Sequence, residues 1–473
     1  MKTKLIFPSR MSELKEDEID WEGCEYSKCG RTDRGVSAFG QVIGIRVRSN
    51  RPLEKSTEMD DVAAGAEKSE EVDGEETQKP LPKEFDPIAD ELPYIQLLNR
   101  VLPEDIRVLA WCPTPPADFS ARFSCRERRY RYFFTQPAYA PVPGSRGVAK
   151  TVSGKSLREG WLDIEAMRDA AKRYEGLHDF RNFCKVDPAK QITNFERRIF
   201  HADIVEVPHR DGPVGYVGQP DFDQTGEGHA SVNGNSQSPE HGGPPKVYTF
   251  DVNGSAFLWH QVRHLVAVLF LVGQGLEPPS TVSDLLDTEK NPTRPKYEMA
   301  TDAPLVLWDC IFPDEQTDSR ENALEWIYIG ESGGRETNKR QDLDGGDGKF
   351  GRNGVLDALW DVWRKRKMDE ILAGNLLDVV ASQGRRSTAH VSLPPAHERS
   401  VRVYDGGNWA RPVGKYVPVL QKQRMEPVEV INARYAERKG LDVNKMRSSR
   451  QMDDEEEQMS LLRSRLAQML NSG

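Results

Sequence analysis

Three features that would assign a function class are missing from this sequence. Its longest apolar run, residues 265–272, has eight residues, far short of the roughly 18 that a membrane-spanning helix needs, so we expect no membrane association. It has no glycine-rich nucleotide-binding loop. The six cysteines are dispersed without the paired spacing of metal ligands. We therefore expect no metal, no cofactor, and reduced thiols in an intracellular protein.

The net charge of −10 argues at first against a nucleic-acid partner, but it has a local origin. Residues 51–90 hold 13 acidic and 5 basic side chains, a net charge of −8. Low hydrophobicity with high charge is typical of a disordered insert. We predict a second insert over residues 208–246, which are rich in small and polar residues without periodicity. The remainder is nearly balanced, so a local basic surface remains compatible with the composition.

A short loop carries the first candidate site. Gly30 and Gly35 bracket the segment that contains Arg31, Asp33 and Arg34, and glycine permits sharp backbone turns. Neighbouring cations favour the anionic form of a carboxylate. A fixed carboxylate among arginines suits a nucleophile or base that meets a phosphate-bearing substrate. The alternative is an ordinary aspartate turn with solvated arginines.

A second stretch, residues 119–134, interleaves arginines with aromatic residues. An alternating pattern places five residues on one face of a predicted strand, namely Arg126, Arg128, Tyr130, Tyr132 and Phe134. Guanidinium groups hold phosphates and aromatic rings stack on unpaired bases, so this pattern suits nucleic-acid binding. An ordinary strand, with its rings in the core and its arginines in water, fits the pattern as well.

A third stretch, residues 247–266, combines a predicted strand, a turn at Gly254 and a largely apolar helix. Arg263 lies among the apolar residues of that helix, where an unpaired charge is costly, so it needs an anionic partner. A structural salt bridge satisfies this requirement as well as a catalytic one does.

Hydrophobic periodicity predicts several further elements that frame these stretches. The predicted helices are 94–101, 162–174 and one beginning at 355, and the predicted strands are 41–48, 106–111 and 198–207.

The three stretches resemble the motifs of the TruA-type tRNA pseudouridine synthases. Residues 29–41, Cys-Gly-Arg-Thr-Asp-Arg-Gly-Val-Ser-Ala-Phe-Gly-Gln, are similar to the signature loop, in which the aspartate, here Asp33, is catalytic. The family's Arg-x-Tyr-x-Tyr motif corresponds here to Tyr130, which the resemblance implies stacks on the target uracil and relays a proton. The family's Ala-Phe-x-x-x-x-Val-Arg pattern ends at Arg263, which the resemblance pairs with Asp33.

Other segments support the resemblance less strongly. Residues 176–184 look like the family segment that packs under the active site. Residues 299–308 resemble its last strand but carry Leu305–Val306 where many members have Gly-Leu. The segments 409–418 and 424–440 are similar to the C-terminal extension of the eukaryotic branch that modifies positions 38 and 39. Their basic character suits tRNA contact, and a solvated tail is the alternative.

The resemblance implies an α+β fold with two ferredoxin-like halves, whose antiparallel sheets join around a central RNA-binding cleft. We predict an N-terminal half over 1–115, a C-terminal half over 116–314, a linker over 315–354, and a helical and irregular extension over 355–473. Only about 29 residues precede Gly30, and none match the family's opening strand, so we expect that strand to be missing.

The implied activity is isomerisation of uridine to pseudouridine in the tRNA anticodon stem-loop, at positions 38 and 39, without cofactor. Asp33 would act as nucleophile at the sugar or as base at its 2′ carbon, and four arginines would grip phosphates, namely Arg31, Arg34, Arg126 and Arg128. Two alternatives remain, a sister enzyme acting elsewhere in tRNA or on other RNA, and a non-catalytic RNA-binding or chaperone protein. The family suggests a homodimer, and we expect the nucleus and cytoplasm as its location.

Overall fold

A computed structural model describes residues 24–52, 85–141, 148–208, 245–314, 320–331, 348–351, 354–384 and 400–440. Most of the two predicted inserts falls outside these ranges. The chain divides into two compact units. The first takes its described residues from Met1–Tyr26, Ile45–Ala117 and Ala323–Gly384, and the second from Ser27–Gly44, Asp118–Asn322 and Arg385–Gly473.

Helices and strands mix in the described part of the chain, as the α+β prediction requires. Its α-helices are α1 Tyr94–Asn99, α2 Ile164–Lys172, α3 Gln261–Gly273, α4 Thr281–Leu286, α5 Val355–Ser382 and α6 Val428–Lys439. Its strands are β1 Ser27–Lys28, β2 Ser37–Ala38, β3 Ile43–Gly44, β4 Ala110–Trp111, β5 Glu127–Gln136, β6 Val148–Lys150, β7 Ser156–Arg158, β8 Gly176–Asp179, β9 Glu196–Val207, β10 Lys246–Gly254, β11 Leu305–Ile311, β12 Ile327–Tyr328, β13 Ser400–Val403 and β14 Arg411–Lys415. None of these helices is both long and apolar enough to cross a membrane.

A six-stranded sheet forms the centre of the second unit, with the strand order β2-β11-β5-β10-β9-β8. All neighbours are antiparallel except β2 and β11, which are parallel. The alternation of side chains along β5 buries Tyr130, Tyr132 and Phe134. The predicted pattern of residues 126–134 therefore forms a strand whose aromatic residues lie in the core.

Helices α2 and α3 pack together beside this sheet. Every residue of α3 is buried, which explains why the apolar residues run around the whole helix instead of along one stripe. Gly273 of α3 allows the close approach of α2, because a Cβ atom at this position would lie 2.5 Å from the sulfur of Met167. The hydroxyl of Tyr174 donates to the carbonyl of Leu265 at 3.1 Å and links the chain after α2 to α3.

Residues 400–440 belong to the second unit and pack on its core. The side-chain amide of Gln274, just after α3, donates to the carbonyl of Arg402 and accepts from the backbone N–H of Tyr404. The buried carboxylate of Glu277 accepts from the hydroxyl of Tyr416 at 2.6 Å and from the N–H of Val419 at 2.7 Å. This range therefore packs on the second unit through these contacts, while every residue of β14 is exposed.

The first unit contains helices α1 and α5 and the short strand pair β4–β12. Strand β12 lies inside the segment 315–354 that the sequence predicts as a linker. Tyr94 of α1 packs edge-on against Trp111 of β4, with the ring centroids 5.1 Å apart. Helix α5 extends to Ser382, well beyond the few apolar residues that predict its start.

Two predicted strands are much shorter in the structure. Of residues 41–48 only Ile43–Gly44 pairs with another strand, and of residues 106–111 only Ala110–Trp111 does. The first of these segments does not bury one face as predicted, since Ile43 is exposed. Alternation of apolar residues therefore overstated the extent of both strands.

Candidate active site

Asp33 opens a tight turn, which its sequence neighbours make possible. The N–H of Val36 donates to the carbonyl of Asp33 at 3.1 Å, and Gly35, the third residue of the turn, has a φ of +88°. Residues other than glycine rarely adopt this conformation. At the start of the loop, the Gln41 side chain accepts from the N–H of Gly30 and donates to its carbonyl. The loop bracketed by glycines is therefore closed by defined hydrogen bonds.

The structure brings Arg263 to the carboxylate of Asp33, as the resemblance implies. One terminal nitrogen of Arg263 lies 3.9 Å from Oδ2 of Asp33, and the other lies 4.0 Å from Oδ2 of Asp302. The Nε of Arg263 donates to the carbonyl of Ala300 at 2.8 Å, which fixes the plane of the guanidinium group. Arg263 is 9% exposed, so these partners satisfy the requirement for anions and acceptors around a buried cation.

His260 is a site residue that sequence reasoning missed. Its Nε2 lies 3.2 Å from Oδ2 of Asp33, closer than either nitrogen of Arg263. Burial lowers the pKa of His260, and nearby Arg263 lowers it further, against the opposing effect of Asp33. A neutral imidazole at neutral pH can donate its Nε2–H to the carboxylate. Its position three residues before Arg263 was the available signal, because residues at this spacing share one side of a helix end.

Tyr130 lies on β5, opposite Val252 of β10 and Leu307 of β11. Its ring packs edge-on against Phe257, with centroids 5.0 Å apart. A Cβ atom at Gly30 would lie 3.9 Å from the Tyr130 hydroxyl, so this hydroxyl faces the start of the Asp33 loop. Burial raises the pKa of Tyr130, which keeps the phenol protonated at neutral pH.

The four predicted phosphate-binding arginines fall into two groups. Arg31, Arg34 and Arg126 are exposed, and the first two lie on the Asp33 loop. Arg128 is half-buried and donates to the backbone carbonyls of four residues, which are Cys29, Arg122, Cys125 and Ser255. Arg128 therefore holds the base of the loop in place, and its contact with a phosphate stays a prediction.

A cavity of about 690 Å³ lies beside Arg263 and Asp302. Basic side chains line much of it, including Arg181, Lys185 and Arg294. Residues 425–431, in the C-terminal segment of the same unit, supply part of its wall. Neither Asp33 nor Tyr130 lines this cavity, so it adjoins the oriented carboxylate through Arg263 and Asp302.

Comparisons with known proteins show which family the chain resembles. The sequence profile of the tRNA pseudouridine synthase family matches residues 170–313. The chain is 41% identical over 303 residues to the tRNA pseudouridine(38/39) synthase of Homo sapiens, covering 64% of this chain and 47% of that protein. The Bos taurus protein of the same name gives 40% identity over the same coverage. The chain therefore spans about half the length of these mammalian relatives.

The tRNA pseudouridine(38/39) synthase of Saccharomyces cerevisiae matches over a longer region. It is 32% identical over 420 residues, which cover 88% of this chain and 67% of the yeast protein. The chain belongs to the TruA-type family of tRNA pseudouridine synthases.

Proposed function

We propose that this protein isomerises uridine to pseudouridine in the anticodon stem-loop of tRNA, at positions 38 and 39. The observation that carries the proposal is the Asp33 carboxylate, which the Asp33–Val36 turn presents to Arg263 and His260. The names of the relatives supply the reaction and the nucleotide positions.

In the proposed reaction the N1–C1′ bond breaks, the uracil turns, and a C5–C1′ bond forms. The hydrogen on C5 leaves as a proton and N1 gains one, so the step needs neither a redox partner nor an added group. Asp33 either attacks C1′ or removes a proton from C2′. In both routes Arg263 and the neutral His260 orient its carboxylate, and Tyr130 would stack on the uracil and relay a proton.

Substrate binding would follow from charge and volume. A paired uridine must leave the stack to react, and its base would have to lie against Asp33 and Tyr130. The cavity beside Arg263 has room for a neighbouring part of the substrate. The exposed Arg31, Arg34 and Arg126 would contact phosphates of the stem, and such contacts weaken with increasing salt.

We further infer that the described elements belong to two ferredoxin-like halves with joined sheets. The antiparallel neighbours of β5 and the packing of α2 and α3 beside the sheet support this architecture. We also propose a homodimer, and action in the nucleus and cytoplasm, by analogy with the eukaryotic branch. The expected phosphate contacts and tRNA partner rest on the same analogy.

Pseudouridine mapping of bulk tRNA tests the proposed function. Cells that lack this protein should lose pseudouridine at positions 38 and 39 and retain it elsewhere, and re-expression should restore it. Loss at other tRNA positions would favour the sister-enzyme alternative. Unchanged pseudouridine throughout, with intact tRNA binding by the protein, would favour a non-catalytic RNA-binding protein.

A further inference from the structure

Three cysteines that are far apart in the sequence meet in the core of the second unit. The sulfur atoms of Cys29, Cys125 and Cys310 all lie within 4.8 Å of one another. Their exposed fractions are 3%, 5% and 2%. We call this group the thiol cluster. The proposed isomerisation does not use it, since that reaction needs neither a thiol nor a metal ion.

Each cysteine comes from a segment that supports the candidate active site. Cys29 directly follows β1 and lies four residues before Asp33. Cys125 lies two residues before β5, the strand of Tyr130. Cys310 lies within β11, opposite Arg128 in the register of the sheet. One ion held by all three would therefore join the Asp33 loop to two central strands.

We propose that the thiol cluster binds one Zn²⁺ ion. Three thiolates that share a zinc ion at bond lengths of about 2.3 Å lie about 3.8 Å apart, and the sulfur separations of at most 4.8 Å are compatible with this value. Thiolates are soft ligands and prefer zinc to magnesium or calcium.

Charge balance favours a divalent ion. Three thiolates and one Zn²⁺ carry a net charge of −1, and the guanidinium of Arg128 supplies the compensating positive charge. Arg128 donates to the carbonyls of Cys29 and Cys125, at 3.1 Å and 3.3 Å, so it lies directly beside the thiol cluster. On binding, three S–Zn bonds form and three thiol protons leave to solvent.

The fourth ligand of the zinc ion would not come from a protein side chain. Within the described ranges no histidine, aspartate or glutamate adds a fourth ligand atom to the group. A tetrahedral zinc ion would therefore take water or another small donor in its fourth position. Because the ion releases protons on binding, its affinity should fall as the pH falls.

Metal analysis of the whole chain tests the proposal. The protein, saturated with Zn²⁺ in reducing buffer and then desalted, should retain about one zinc per chain, as measured by mass spectrometry. The double variant Cys29→Ser/Cys125→Ser should bind zinc at least tenfold more weakly in competition with a chromophoric chelator. Cys184→Ser removes a buried cysteine outside the thiol cluster and is the matched control, which should retain the ion.

Cobalt substitution keeps the proposal falsifiable if the double variant does not fold. Co²⁺ added to the unaltered chain should give thiolate-to-cobalt charge-transfer bands in the near ultraviolet, and Zn²⁺ should abolish them. Absence of these bands, together with no retained zinc, would overturn the proposal. So would equal zinc content in a folded double variant and the Cys184→Ser control, because the ion would then lie elsewhere.

Discussion

At the scale of single residues, the site depends on how one carboxylate is held. The side chain of Asp33 is 27% exposed, whereas the side chains of His260 and Arg263 are 10% and 11% exposed, so a reactive group open to substrate is held by two largely buried supports. These supports differ in chemistry, because one is a permanent cation and the other is neutral at physiological pH. The difference makes their contributions separable by mutation.

The variant His260→Asn should lower turnover about tenfold without changing the affinity for tRNA. Asparagine tolerates the φ of +61° at this position, so the helix start should survive, but its side chain is too short to hold Asp33. Single-turnover rates and filter-binding affinities check this expectation. His201→Asn alters an exposed histidine on β9 and should leave both quantities unchanged. Normal turnover by His260→Asn would show that Arg263 alone orients the carboxylate.

The variant Arg263→Met should lower both stability and turnover. It removes the cation beside Asp33 and leaves the buried carbonyl of Ala300 without its donor, a loss of about 1–3 kcal/mol in the free energy of unfolding. Urea unfolding and single-turnover kinetics measure the two effects. Arg168→Met is the control, since Arg168 also donates to a carbonyl, that of Ile204, but lies outside the site. Arg168→Met should lower the free energy of unfolding but leave turnover unchanged.

At the scale of elements, the turn at Gly35 is the most constrained part of the site. Its φ of +88° disfavours any side chain, and a Cβ atom there would lie 2.8 Å from Cγ of Asp302. The turn that carries Asp33 therefore lies directly against the carboxylate of Asp302. Both the backbone conformation and this close contact disfavour replacement of Gly35 by a residue with a side chain.

Gly35→Ala should destabilise the protein by more than the conformational cost of about 1–2 kcal/mol, and it should also slow turnover. Gly154→Ala is a matched control, because Gly154 has a φ of +80° and no heavy atom within 4 Å of the added Cβ. The control should show the conformational cost without an effect on turnover. Equal unfolding midpoints for the two variants would show that the Asp302 side chain moves away from the added methyl group without a loss of stability.

The sequence predicts elements well where one segment carries the whole signal. The apolar run of α3 and the alternation of β5 both specify buried elements, and both elements form. The bounds of β5 lie within two residues of the predicted 126–134, whereas α3 begins only at Gln261. The predictions for β3 and β4 were too long, because the length of a strand depends on pairing with a partner strand that lies elsewhere in the sequence. The sequence did not predict the contact of His260 with Asp33 or the thiol cluster, because both arise from contacts between segments that are distant in the sequence.

At the scale of the whole molecule, buried histidines should make stability depend on pH. Burial lowers the pKa of His264 well below its usual 6.5, and the positive charge of Arg294 adds to the effect. In the unfolded chain His264 binds a proton near pH 6.5, whereas in the folded state it binds one only at a much lower pH. The stabilising contribution is therefore fully present above that pH and is lost as the pH falls.

Lowering the pH from 7 to 5.5 should reduce the free energy of unfolding by about 1 kcal/mol through His264 alone. Urea unfolding at the two pH values measures the change. The variant His264→Gln cannot titrate and should show a smaller pH dependence, whatever its stability at pH 7. If His264→Gln shows the same pH dependence of the free energy of unfolding as the unaltered protein, groups other than His264 cause the loss of stability at low pH.

The rate of hydrogen loss from C5 of uridine tests the central claim, that Asp33 is the catalytic group. A tRNA labelled with tritium at C5 of its uridines should release tritium to water with the unaltered protein. Asp33→Asn should bind the same tRNA with similar affinity but release tritium at least about a thousandfold more slowly. Asp169→Asn, which alters an exposed carboxylate on α2, should match the unaltered protein. Substantial tritium release by Asp33→Asn would contradict the account.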